Sequence, residues 1–195
     1  METPSSWKPP AAEYSERSVV FLIALIQFIS ILEFMIVMPL GPDFSQALNF
    51  PLSRLGRIAG SYTLAAAISG IIVSFFIERF DRRSALAFLM VGLMITTAAA
   101  GFAVDYSTLI TARILAGMFG GPAMSLALAI ISDVIPPARR GKAIGIVMTS
   151  FSLASILGVP AGLKLALWGG WRIPFFVIAG MGFIAILIVI TKLPS

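Results

Sequence analysis

Of the nine acidic residues in this 195-residue chain, Glu33 alone lies deep inside an apolar run; the others fall in the N-terminal tail, in polar connections or at the ends of apolar stretches. Desolvation disfavours the charged form of a carboxyl group, so a carboxyl group held out of water can exchange a proton wherever a pathway or a substrate reaches it. Gln27 and Ser30 precede Glu33 at three-residue spacings, which places three polar side chains on one stripe of a helix. That stripe suits proton coupling or substrate binding. Its plainer alternative is an interhelical hydrogen bond that only holds a bundle together.

Arg113 is the basic counterpart. It falls about five residues inside another apolar run, ~8 Å from the outer end of that run at helical rise. A long side chain at that depth can snorkel to interfacial water. Gly117 and Gly120 share its helical face, however, and small residues mark the face that packs against protein, which turns Arg113 inward. An inward guanidinium can pair with Glu33 or attract an anionic substrate.

Two further clusters carry possible chemistry. The stretch Glu78-Arg79-Phe80-Asp81-Arg82-Arg83 packs five charges into six residues between apolar runs. A loop that only sets topology needs only the positive charges. The added acids suggest a salt-bridge network, with Asp133 a further member from the next loop on the same side. In the run Ala154 to Gly162, Ser155, Gly158 and Gly162 share one helical face with Pro160 between the glycines. Such a helix packs closely and bends, as a moving interface requires and a static bundle tolerates.

The elements that position these residues follow from composition. Hydrophobic residues make up 58% of the chain and charged residues 12%, against about a quarter charged in soluble domains. Apolar runs approximate residues 18–40, 55–77, 84–104, 108–131, 143–167 and 172–191, each about the length that crosses a bilayer as a helix. The expected fold is therefore all-α, a polytopic bundle of six transmembrane helices at 18–195. Residues 1–17, polar and carrying Pro4, Pro9 and Pro10, are expected to form a disordered tail. The first run is too long for a signal-peptide core and is expected to remain as helix one.

Lys8, Arg17, Arg79, Arg82, Arg83, Arg139, Arg140, Lys142 and Lys192 fall on one side of the six spans, and Arg54, Arg57, Lys164 and Arg172 on the other. The positive-inside rule then predicts both termini in the cytoplasm, with Trp168 and Trp171 at the outer boundary. The net charge of +5 is explained by topology, so no nucleic-acid partner is expected. The chain has no cysteine and no histidine. That removes disulfides, Cys/His metal sites, Ser-His-Asp and Cys-His hydrolysis and the histidine-dependent intramembrane serine proteases. No enzyme activity, cofactor or metal is expected.

In order, these pieces resemble the major facilitator superfamily over roughly residues 18 to 194, in particular its drug and metabolite proton antiporters. The family's loop signature between helices two and three is similar to Ser74 with Glu78 to Arg83, with Ser74 and Asp81 in place of glycines. The helix-four signature is met by Arg113 and Gly117, with Ala116 where glutamine is common. The resemblance continues through Asp133, Pro137, Arg140 and Gly141, and implies that Asp133 pairs with Arg82 and locks one face closed. Gly158-Val159-Pro160-Ala161-Gly162 resembles the antiporter helix-five motif, and Gly170-Trp171-Arg172 is frequent in the family at the start of helix six.

The resemblance implies a secondary active transporter of a small organic solute, proton-coupled and directed to efflux, in a bacterial inner membrane. Its partners would be the lipid bilayer, a small-molecule substrate and protons. Complete members have about 12 helices in two halves, with substrate held between them. Six spans therefore lead to the expectation of a truncated product, a fragment, or a half that pairs with a second six-helix half or another copy. A half with a structural or assembly role and no transport of its own is the alternative.

Overall fold

The structure is a computed structural model that describes residues 15–76 and 80–192. Among these residues it contains eight α-helices: α1 (Glu16–Met35), α2 (Gly41–Ala47), α3 (Leu55–Ser74), α4 (Arg82–Gly101), α5 (Tyr106–Val134), α6 (Pro137–Leu153), α7 (Val159–Gly169) and α8 (Ile173–Lys192). Because α6 and α7 continue one another and α2 is short, six helical segments are long and apolar enough to cross a membrane. The protein is an all-helical membrane bundle of six spans.

Local chemistry sets the ends of the helices. Asp105 caps α5 through a capping box, accepting from the Thr108 amide at 2.7 Å while the Thr108 hydroxyl accepts from the Asp105 amide at 3.1 Å. Pro136 and Pro137 divide α5 from α6, with Pro137 as the first residue of the new helix, where its missing amide hydrogen costs nothing. Gly170 ends α7 at φ +85°, in the left-handed region that side chains avoid.

Several expected connections are more ordered than the sequence suggested. The stretch 41–54, read as a loop, folds into α2 and a 3-10 turn at Leu52–Arg54. Residues 132–142, also read as a loop, mostly belong to the last turn of α5 and the first turns of α6. Trp171, at the end of the bundle between α7 and α8, does not turn its ring out to the surroundings. It is buried edge-on against Phe44 of α2, ring centroids 5.0 Å apart, and packs on Phe175 of α8, because the folded segment 41–54 supplies an apolar seat. Trp168 is exposed.

The principal packing contacts are α3 with α5, α4 with α5, α4 with α8, α1 with α6, α1 with α8 and α1 with α5. With α6 and α7 counted as one span, replacing every span by the one three places further on returns the same set of pairs. Spans three apart run in opposite directions, so this is the pattern of two inverted three-helix repeats. Side-chain identity is too diverged to display it, yet the packing preserves it. Within these principal contacts, α1 and α5 touch each other and more of the remaining spans than any other span does, and so lie at the centre of the bundle, whereas α3 and the α6–α7 span leave most of their surface uncovered.

Candidate functional site

Glu33 on α1 and Arg113 on α5 meet at that centre. Both side chains are within 1% of full burial, and they are the two charged residues buried among the described residues. The arginine forms a forked ion pair with the carboxylate, donating Nη1 to Oε1 and Nη2 to Oε2, the latter at 3.5 Å. Thr97 of α4 places its hydroxyl 3.3 Å from Oε1 while also donating to the Leu93 carbonyl at 2.7 Å. The fourth element is α3, whose Tyr62 ring lies with its centroid 4.6 Å from the Arg113 guanidinium carbon. Arg113 Nε has no hydrogen-bond partner.

The other two polar residues of the α1 stripe are buried but stay apart from the ion pair. Ser30 reaches only the Met90 sulfur at 3.9 Å, and Gln27, about 9 Å further along the helix, donates to the Met124 carbonyl at 3.4 Å. The Gln27 Oε1 atom is buried with no partner. The stripe therefore runs inside the bundle from the ion pair toward the end that carries the N-terminus, with unsatisfied acceptor capacity at its far member.

Glu78 and Arg79 lie outside the described residues. Of the remaining loop charges, Arg82 pairs with Asp133 at 3.2 Å, joining the start of α4 to the end of α5 in a half-exposed contact. Asp81 does not join that pair. It caps α4 by accepting from the Ser84 amide at 2.8 Å, and this hydrogen bond holds its carboxyl below the usual carboxylate range. Arg83 adds a smaller contribution to the lowering at Asp81. Arg140 donates to the Ser132 carbonyl at 2.5 Å, tying α6 to the last turn of α5, and the partner of Glu16 is Arg139, at 2.9 Å. Among the described residues the basic cluster thus divides into two interhelical ion pairs, Arg82–Asp133 and Arg139–Glu16, and ties at helix ends.

One pH effect follows from the Asp81 cap. A carboxyl group depressed on folding contributes stability above its unfolded value and loses that contribution as pH falls through the lower folded value. The Ser84 amide should be protected from hydrogen exchange at neutral pH and deprotect on acidification through that window, whereas in Asp81→Asn, a cap without a titratable group, protection at Ser84 should not change with pH.

In the α6–α7 span, residues Ala154–Gly158 form a π-helical turn, followed at once by Pro160 on the exposed face near the start of α7. A wide turn of this kind reconciles the missing proline amide hydrogen with a continuous span. Gly158 and Gly162 face α1, where an added Cβ would meet Leu32 Cδ1 at 2.9 Å and Ile36 Cδ1 at 2.6 Å, residues that bracket Glu33. The bend therefore bears on the part of α1 that carries the buried carboxylate.

Thr97 and Tyr62 were not legible as members of the cluster. Thr97 carries a faint signal, as a hydroxyl in mid-span, while a tyrosine in an apolar helix reads as ordinary packing. At the other end of the bundle, Arg172 lies over the Trp171 ring and donates to the Ala103 carbonyl at 2.9 Å, fastening α8 to the end of α4.

Comparison with known proteins bears on this arrangement. The sequence profile of the Major Facilitator Superfamily matches residues 23–195. The chain is 28% identical over 159 residues to the inner membrane transport protein YdhP of Escherichia coli (strain K12), covering 80% of this chain and 41% of that protein. It is 28% identical over 145 residues to the tetracenomycin C resistance and export protein of Streptomyces glaucescens, covering 74% of this chain and 27% of that protein. The chain thus spans less than half the length of these curated relatives. Its fold matches the crystal structure of a bacterial homolog of the human lysosomal transporter Spinster, in an inward-facing and unoccupied conformation, with a TM-score of 0.81, 18% identity and coverage of 95% of this chain and 44% of that one.

Proposed function

The chain belongs to the major facilitator superfamily, and on that premise we propose that it forms one six-helix half of a secondary transporter that exports a small organic solute in exchange for protons. The observation that carries this reading is the Glu33–Arg113 ion pair, buried where the two inverted repeats meet. A carboxylate in that position holds the arginine when ionised and releases it when protonated, so proton uptake changes the force between α1 and α5. The π-helical turn beside Leu32 and Ile36 gives α1 a neighbour able to follow such a change. Resistance and export in the name of one relative, the tetracenomycin C resistance and export protein, support the outward direction.

Alternating access in this reading rocks the bundle against a second six-helix unit, either another half or another copy. The uncovered faces of α3 and the α6–α7 span are the surfaces that unit would cover. Counting of positive charges places the Arg82–Asp133 pair and both termini in the cytoplasm, with the pair breaking when that side opens. The plasma membrane is the compartment, and the surrounding lipid, the solute and the proton are the partners. A second reading, an assembly half with no transport of its own, is favoured by the same uncovered faces and by the length of the relatives.

The test is substrate-driven proton flux in sealed vesicles containing the chain, challenged with drugs, sugars and nucleosides, with wild type compared with Glu33→Gln. A flux that Glu33→Gln reduces to background is the expected outcome. Folded wild-type protein with no flux would favour the assembly reading, and a flux untouched by Glu33→Gln would remove Glu33 from coupling.

A further inference from the structure

Tyr62 is 4% exposed, and its hydroxyl lies near the Glu33 carboxylate without the geometry of a hydrogen bond. Buried tyrosines usually satisfy that group, so the position is not explained by its polar end. The ring is the engaged part. One face takes the Arg113 guanidinium, and Phe34 of α1 packs at a centroid distance of 5.2 Å. The seat is built by the helix that carries the arginine: Gly117 lies against the Tyr62 backbone carbonyl and Gly120, about one turn on, against its hydroxyl, so a Cβ at either would collide. Two small residues on α5, four and seven residues beyond Arg113, thus bring the aromatic face to that cation.

An arginine keeps its charge throughout the accessible pH range. When Glu33 takes up a proton, the guanidinium loses its counter-ion in a site without water access. Among the described residues, the titratable groups in the cluster are Glu33 from α1, Tyr62 from α3 and Arg113 itself from α5, while α4 presents the neutral Thr97. The electron-rich face of the tyrosine is the remaining surface that attracts a cation.

We infer that Tyr62 is a positioning residue whose ring holds Arg113 in place while Glu33 is protonated, so that the arginine stays aligned to recapture the carboxylate. The inference rests on the reading of Glu33 as the group that exchanges the proton. The role is assigned to the ring, and the phenylalanine variant separates it from the hydroxyl, which lies near Glu33.

The experiment is a pH titration of the full chain in lipid nanodiscs, following the protonated-carboxyl infrared band and assigning it to Glu33 by its loss in Glu33→Gln. Tyr62→Phe keeps the ring and should leave the midpoint within about 0.3 pH units of wild type. Tyr62→Leu fills the space without a π face, removes the contact that stabilises the unpaired guanidinium once Glu33 is protonated, and should lower the midpoint by about one unit, the size of a desolvated cation–π contact expressed as a titration shift. Tyr62→Trp should bring it back.

A Phe variant that moves as far as the Leu variant would overturn the inference, because the hydroxyl would then be the active group. A Leu variant that stays with wild type would overturn it too, since packing alone would account for the residue. Normal ring dependence in a chain without proton flux would sink the transport reading and leave the role of Tyr62 standing, whereas a band unaffected by Glu33→Gln would overturn both.

Discussion

Replacing Arg113 by methionine while leaving Glu33 in place is expected to destabilise the bundle by about 3–5 kcal/mol, the usual penalty for leaving one member of a buried ion pair without its partner. Both side chains are almost completely buried, and the remaining hydrogen-bond donor at the carboxylate is the Thr97 hydroxyl, which it shares with a backbone carbonyl. The double variant Glu33→Leu with Arg113→Met removes both charges and should recover most of the loss, since apolar residues of similar volume often equal or exceed a buried pair in stability. Thermal unfolding in detergent, followed by tryptophan emission, supplies the four corners of the cycle.

The two single variants should differ in their response to pH. In Arg113→Met the deficit shrinks on acidification, because protonation removes the unpaired negative charge. In Glu33→Leu it persists, because the guanidinium keeps its charge, although the Tyr62 ring softens it. Additive losses with no recovery in the double variant would show that the two groups do not act as a pair, and the coupling reading would lose its foundation.

The legibility of this site had a physical limit. Spans could be read because a bilayer demands runs of about 20 apolar residues, and Glu33 and Arg113 could be read because an ionised group inside such a run is rare. Their pairing could be stated only as one of two options, since helical periodicity gives a face and not a partner. Thr97 and Tyr62 escaped because a hydroxyl in a membrane helix can satisfy itself on its own backbone, as Thr96 does on the Gly92 carbonyl, so its type carries little information about neighbours.

The end of the bundle that carries α2 was read least well. Trp171 was placed at the interface from its amphipathic character, but α2 folds over that end and gives it an apolar seat on Phe44, a tertiary effect that no local pattern encodes. Asp81 was grouped with the loop charges because of its sequence neighbours, yet a carboxylate three residues ahead of a helical amide is better used as a cap. The inverted repeat was invisible for a related reason. Packing between helices in lipid depends on small residues at a few crossing points, and these can move along the chain while the contact pattern is kept.

The crossing points themselves can be tested through two glycines that look alike in sequence. Gly117→Ala should be the damaging substitution, because the new Cβ would run into the Tyr62 backbone carbonyl and lie 3.1 Å from the Ala65 Cβ, neither of which can rotate away. The helix α3 must then back off from α5, its principal neighbour, at an expected loss of about 1–3 kcal/mol for overpacking. Gly158→Ala should be close to neutral. Its Cβ would meet the end of the Leu32 side chain, which can turn, and alanine regains about 1 kcal/mol of helix propensity over glycine. Because Tyr62 is carried on α3, the same displacement that lowers the unfolding midpoint of Gly117→Ala should also lower the midpoint of the Glu33 carboxyl band, as Tyr62→Leu does, while Gly158→Ala leaves it unmoved. If Gly117→Ala matched Gly158→Ala in both measurements, close approach of α3 to α5 would not be what holds the aromatic face against the arginine.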